Sequence, residues 1–268
     1  MNTHVRAALL AACIPALLLP TAQSVAAQGT ETDTEITILC SNGLRAAMEK
    51  LLPEYERTMG RRMKVQFGAS ATFKRSIEAG EPFDLAILTP QLIEDLIKQG
   101  KIAAGTAVNI ASTGIGVAVR AGSPKPDVAT PEAMKQTLLK AKSIGYVKEG
   151  ASAAAIVSML DRLGIGNEVQ HKIVFQPGAG PSMASVAGGQ TDLAFALISE
   201  ILSVPGVQLA GPFPPEFQKP IIMSAGIASS TRNRAVVDKI VKSLTGAEAS
   251  TTIKATGLDP ARPASLRP

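Results

Sequence analysis

Apolar residues come in short runs along this chain, and the period of the runs switches back and forth. Residues 35–40 (EITILC), 63–67 (MKVQF) and 83–88 (FDLAIL) are alternating or fully apolar and are bounded by turn residues, the pattern of strands. Residues 44–59, 72–79 and 90–99 carry helical spacing instead. Each of these runs into a glycine (Gly60, Gly80, Gly100), the residue that tolerates the left-handed backbone found just past a helix. The middle of the chain repeats the theme, with strands predicted over 115–120, 144–147, 173–175 and 192–197 and helices over 131–141 and 152–163. A strand over 221–228 and helices over 235–245 and 247–255 follow. Strands alternating with helices predict an α/β fold of mostly parallel sheets flanked by helices.

With 268 residues, 46% hydrophobic and 18% charged, the chain can bury a core and is too apolar for a disordered protein. Its length suits two α/β lobes, expected as 28–112 plus 218–268 for the first and an inserted 113–217 for the second. Crossovers between them are expected near 111–114 and 206–217, the latter holding Gly211-Pro212 and Pro214-Pro215. The apolar run 7–20 is too short to cross a bilayer as a helix. It follows Arg6 and precedes Val25-Ala26-Ala27, so 1–27 reads as a signal peptide cleaved before Gln28, which sends the protein to the periplasm. Leu10-Ala11-Ala12-Cys13 also fits a lipobox, the rival reading, but the apolar region continues through Leu17, Leu18 and Leu19 and favours free export.

Losing Arg6 with the leader lowers the formal charge from +5 to +4, and losing Cys13 leaves Cys40 without an intrachain partner, so burial rather than a disulfide holds the fold. No block of basic residues, no Trp and only Tyr55 and Tyr146 argue against nucleic acid as a partner. A mildly basic surface still favours capture of anions.

The informative residues follow four of the predicted strands: Ser41-Asn42-Gly43, then 68–72 (GASAT), 148–152 (KEGAS) and 176–182 (QPGAGPS). Each precedes a predicted helix. In open α/β sheets ligands sit beyond the carboxyl ends of strands, where helix N-termini offer unpaired amides. Glycine and alanine let those amides approach closely, and Ser and Thr add hydroxyl donors, a combination that can hold an oxyanion without a counter-charge. Any one such corner is explained equally by Ser, Thr or Asn capping its helix. Four together, two from each expected lobe, point to a shared anion site.

Catalytic motifs are thin. His171 stands beside Lys172 with no Cys or His at metal-ligand spacing, and neither a G-x-S-x-G elbow nor a phosphate loop is present. Nothing in the residues asks for a cofactor or a metal. Lys148, Glu149 and Glu200 flank the corners and have the chemistry to move a proton, although charges beside loops are usually solvated.

Residues 67–72 (FGASAT), continuing to Arg75, 77–80 (IEAG) and Asp84-Leu85, resemble the Ser-rich loop, helix and next strand of periplasmic molybdate-binding proteins. The resemblance covers nearly the whole chain after the leader. It implies the two-lobed periplasmic-binding-protein fold of type II, a monomer that closes on a small anion and delivers it to an ABC permease. By that resemblance Ser70 stands at a ligand-binding serine, Gly43 where another serine stands, and Ser152 and Ala179 at positions whose amides bind. Ser41 or Asn42 would supply the hydroxyl or amide that Gly43 lacks, with Thr72 beside Ser70. The family's ligand-binding tyrosine falls at Leu197. A lost hydrogen bond to a charged group costs about 1.5–3 kcal/mol, which argues against molybdate itself. Residues 120–146, 197–200 (LISE) and 204–206 (VPG) are similar to a branch that also contains aconitate isomerases. Two readings stay open: a binding protein, which needs only a complementary cleft and hinge, and a tricarboxylate isomerase, which needs a base and cations for several carboxylates. Arg45, Lys74 and Lys148 are the cations near the corners.

Overall fold

A computed structural model of the chain describes residues 35–261. The leader, its cleavage site and the lipobox lie outside the described residues. Strand β1 (Glu35–Ser41) runs through a tight turn into helix α1 (Arg45–Met59); β2 (Arg62–Gly68), α2 (Ser70–Glu78), β3 (Leu85–Leu88), α3 (Pro90–Lys98) and β4 (Val108–Thr113) follow. The chain continues through β5 (Ile115–Arg120), α4 (Pro131–Lys140), β6 (Ile144–Val147), α5 (Ala153–Arg162), the short α6 (Gly166–Val169), β7 (Ile173–Gln176), α7 (Ala179–Ala187), β8 (Leu193–Leu197), the short α8 (Ile198–Leu202) and β9 (Val207–Pro212). It ends with β10 (Ile221–Ile227), α9 (Arg234–Leu244), α10 (Ala247–Ala255) and β11 (Asp259–Pro260).

These strands form a six-stranded sheet ordered β11-β4-β10-β3-β1-β2 and a five-stranded sheet ordered β7-β6-β8-β5-β9. Period-2 alternation sorts each sheet's residues onto two cores. Ile36, Ile38, Cys40, Leu85 and Ile87 face α1, α9 and α10, while Leu39, Ala86 and Leu88 face Phe73 and Ile77 of α2 and Ile93 and Leu96 of α3. In the second sheet Val117, Leu193 and Phe195 pack on Met134, Leu138 and Ile156, and Ala118, Ala194 and Ala196 pack on Met183 and Val186 of α7. Cys40 is fully buried, and burial pushes its thiol well above the ordinary value, leaving it inert.

The sheets are mixed. β1 is parallel to β2 and β3, and β6 to β7 and β8, but β10 runs against β3 and β4, and β5 against β8 and β9. Their route explains the reversal. A strand entering a sheet from the other sheet starts at the edge where its parallel strands end, so β5 and β10 must run backwards. β4 and β9 were not expected as strands: β4 alternates polar and apolar residues weakly, and β9 ends in Gly211-Pro212, tolerable because β9 is an edge strand.

The chain crosses between sheets at Gly114 and again between Pro212 and Ile221. Gln218 ties the two crossings together: its side-chain oxygen accepts the Ile115 N–H at 2.8 Å and its amide donates to the Ile115 carbonyl at 2.8 Å. A Cβ on residue 114 would lie 3.0 Å from the Gln218 amide, so glycine is needed for that approach. Gln218→Ala leaves the Ile115 N–H without its acceptor and is expected to cost about 1–3 kcal/mol in urea unfolding; an unchanged midpoint and slope would contradict the role given to this side chain.

Candidate functional site

The parallel strands of both sheets end at one cleft of about 650 Å3, and the small-residue corners line it. That volume is ordinary for an organic ligand and many times the ~30 Å3 of one water. Ser41 and Asn42 come from the end of β1, Gly68 and Ala69 from β2, Gly150 to Ser152 from the loop after β6, and Pro177 to Ser182 from the loop after β7 and the start of α7. Helices α2, α5 and α7 therefore begin at the cleft, and those of their opening amides that find no carbonyl in the preceding turn, as the Ala153 amide finds Gly150, belong to its wall.

Two of the helices start earlier than the sequence pattern indicates. Ala69 is extended and its carbonyl accepts the Thr72 and Phe73 amides, which starts α2 at Ser70, two residues before the expected Thr72, and puts both in its first turn. Gly178 does the same for α7 by accepting the Ser182 amide, and Pro181 sits in the first turn, where no N–H is lost. Rigid helical turns, not loops, present these residues.

The hydroxyls separate capping from binding. Away from the cleft, Thr130 caps α4 by accepting the Ala133 amide at 3.1 Å. At the cleft, Ser152 occupies the N-cap of α5 without making that bond. Ser70 is 3% exposed and Ser182 is 1% exposed, yet neither hydroxyl has a hydrogen-bond partner. The other buried orphan hydroxyl among the described residues, Tyr55, lies in the core beneath α1. Leaving a buried hydroxyl unpaired costs about 1–3 kcal/mol, so two on one cleft, one from each sheet's helices, is a signature of a ligand-facing surface.

Of the residues singled out from sequence, Ser41, Asn42, Ser70, Thr72, Ser152 and Ala179 line the cleft, and Gly43 does not. A Cβ at 43 would meet Leu197 Cδ1 at 2.8 Å and Met223 Sδ at 2.9 Å. The Gly43 carbonyl accepts the Ser199 hydroxyl at 2.9 Å across the two halves of the molecule. Gly43 is a point of close approach behind the cleft, and Leu197 fills the space a serine would use.

The sequence profile of the bacterial extracellular solute-binding proteins matches residues 36–259. The chain belongs to that family. It is 28% identical over 250 residues to an aconitate isomerase of a Pseudomonas species, covering 91% of this chain and 94% of the relative. It is 25% identical over 232 residues to the molybdate-binding protein ModA of Azotobacter vinelandii, covering 83% of this chain and 89% of the relative. The solved periplasmic molybdate-binding protein of Azotobacter vinelandii superposes with a TM-score of 0.72 at 22% identity, over 85% of this chain and 99% of that one, the two-lobed fold expected.

Charges distinguish this solute-binding protein's cleft. Arg45 lines it, with its guanidinium 4.3 Å from the centre of the Phe67 ring and donating to Asn42 at 3.2 Å. Lys74 instead pairs with Glu78 at 2.5 Å, and Lys148 lies over the exposed Phe175 ring; neither lines the cleft. Glu149 pairs with Arg75 at 2.6 Å, joining α2 to the loop after β6. Glu200 does line the cleft. Its Oε2 accepts the Leu197 amide at 3.2 Å, and burial pushes its carboxyl from 4.5 up to about 7 against the opposing pull of that amide and of Arg45. Sequence reasoning missed Ser182, one turn beyond Ala179, and took Glu200 for a solvated flank; the signal was there only as a Ser at the end of a Gly/Pro corner.

Among the described residues no helix is long and apolar enough to cross a membrane, and no cluster of His, Cys, Asp and Glu is placed to hold a metal ion. Gly43→Ser should destabilise the protein by about 1–3 kcal/mol through the clash with Leu197 and Met223. The cost should shrink in a Leu197→Ala background, as a double-mutant cycle by chemical unfolding would read; strict additivity would contradict the contact.

Proposed function

We propose that this protein captures a small anion, an oxyanion or a small carboxylate, between two lobes and delivers it to an ABC importer from the periplasm. Lobe one comprises 28–112 plus 218–268 and lobe two 113–217, and they hinge at the two crossings beside Gln218. The observation that carries the reading is the pair of buried, unpartnered hydroxyls, Ser70 and Ser182, facing one cleft from helix starts on opposite sides. Ser41, Asn42, Thr72, Ser152 and Ala179 supply further donors, and the opening amides of α2, α5 and α7 favour negative charge there. Membership of an extracellular solute-binding family agrees with export as a free monomer after removal of 1–27.

Calorimetry against molybdate, tungstate, sulfate, phosphate and trans-aconitate tests the reading. Ser70→Ala and Ser182→Ala should each weaken the best of these by about tenfold or more, because a hydrogen bond to a charged group is lost. Folded stability should stay level or rise, since an unpaired buried hydroxyl is removed. No binding by any of the five, or alanine variants of full affinity, would refute the proposal.

A second reading, isomerisation of a tricarboxylate, is favoured by the presence of a carboxyl and a guanidinium, Glu200 and Arg45, in the same cleft. The likeness to an aconitate isomerase points the same way. Glu200 would take a proton beside a carboxylate that Arg45 holds, and return it at the other end of the shifted double bond. Incubation with trans-aconitate, followed by NMR, should then yield cis-aconitate; no conversion at high protein concentration removes this reading.

A further inference from the structure

A cleft built from donors has no evident use for a carboxylate. The starts of three helices, Ser70, Ser182 and Arg45 all stand on the cleft wall as hydrogen-bond donors, yet Glu200 is on that wall too. The carboxyl is not neutralised by an ion pair among the described residues. Arg45, whose field reaches it, is 3.4 Å from Glu49 and bonds Asn42. Of the other segments packed on α8, β8, β9 and the 42–44 turn hold no titratable side chain, the charged residue of β5, Arg120, is at the end of that strand away from Leu197, and the turn at Gly257, which meets Ile198 and Leu202, lies between Lys254 and Asp259. One carboxyl oxygen is occupied by the Leu197 amide. The other has no hydrogen-bond partner among the described residues. A glutamine would serve the Leu197 amide equally well and would donate to an anion, so closing the first turn of α8 does not account for a glutamate.

We propose that Glu200 is the selectivity group of the cleft: its free oxygen accepts a hydrogen bond from the bound anion, so the site takes an anion that carries an O–H, a hydroxy acid or a monoprotonated oxyanion, over an aprotic one. The inference rests on the anion-binding reading above. An aprotic anion would set lone pairs against lone pairs and charge against charge, with no proton to share; an O–H turns the same contact into a charge-assisted hydrogen bond. The wall beside Glu200 agrees with a ligand that has a carbon skeleton, since Phe195, Leu197 and Val204 are apolar there. The direction in which burial moves Glu200 adds a consequence. As pH falls toward 7 and below, the carboxyl gains a proton and becomes a donor, and the bar to aprotic anions relaxes.

Matched probes isolate the effect: hydrogen phosphate against sulfate, alike in shape and charge, and malate against succinate, differing in one hydroxyl. At pH 8, calorimetry on the purified protein should favour the O–H member of whichever pair binds by about tenfold or more. Glu200→Gln keeps an acceptor for the Leu197 amide, should bring each pair within about threefold, and should bind sulfate more tightly than the unaltered protein does. In the unaltered protein sulfate affinity should rise between pH 8 and pH 6, a range in which sulfate itself does not titrate, and this titration decides the matter if the variant fails to fold. Equal affinity within the pairs, a preference that survives Glu200→Gln, or sulfate binding flat with pH would overturn the inference while leaving anion capture standing. Failure of all four anions to bind would overturn the inference, and would overturn anion capture as well only if molybdate, tungstate and trans-aconitate also failed to bind.

Discussion

Two hydroxyls without partners set the terms for this molecule. Ser70 and Ser182 are held in the first turns of α2 and α7, out of reach of bulk water and without a hydrogen-bond partner among the described residues. A fold does not keep two such groups on one surface without compensation, because each costs as much as a typical hydrogen bond contributes. The neighbouring features become intelligible from there. The helices begin where the parallel strands stop, so their amides face the same space, and Gly and Ala at the corners place nothing larger than a methyl group between those amides and a ligand.

The connections of the chain bring the two sets of corners together. Because β4 and β9 run toward the cleft and β5 and β10 run away from it, the chain crosses twice at the same edge, and Gln218 binds the crossings to each other. Behind the cleft the two halves touch at Gly43, where the Ser199 hydroxyl reaches the backbone carbonyl and Leu197 occupies the room a side chain would need. In front, Arg75 and Glu149 meet in an exposed ion pair, which contributes about 0–1 kcal/mol and so cannot by itself hold the halves together. On the proposed reading, a bound anion touching both Ser70 and Ser182 would contribute more than that pair does, and closure would then depend on the ligand.

Much of this architecture is legible in the sequence, for reasons that differ by residue. The runs 35–40 and 83–88 are nearly continuous in apolar residues because each strand is covered on both sides, and the corner at 68–72 stands out because all five of its residues are small. β9 escapes notice because Pro212, a breaker in most strands, is harmless at a sheet edge. Strand direction is not written in the strands; it follows from the crossings, which periodicity does not report. Ser70 and Ala179 look like loop residues, since a helix beginning with small residues has no apolar stripe in its first turn. Glu200 lies in an unremarkable LISE stretch, and only the fold shows that it stands half-buried on the cleft wall.

The claim at the centre is that the Ser70 and Ser182 hydroxyls complete their hydrogen bonding on one anion. A crystal structure of the protein grown with a bound anion measures this directly. The account predicts one ligand in the cleft with its oxygens within hydrogen-bond distance of both hydroxyls. A ligand bound elsewhere, or bound in the cleft with either hydroxyl turned away from it, would contradict the account.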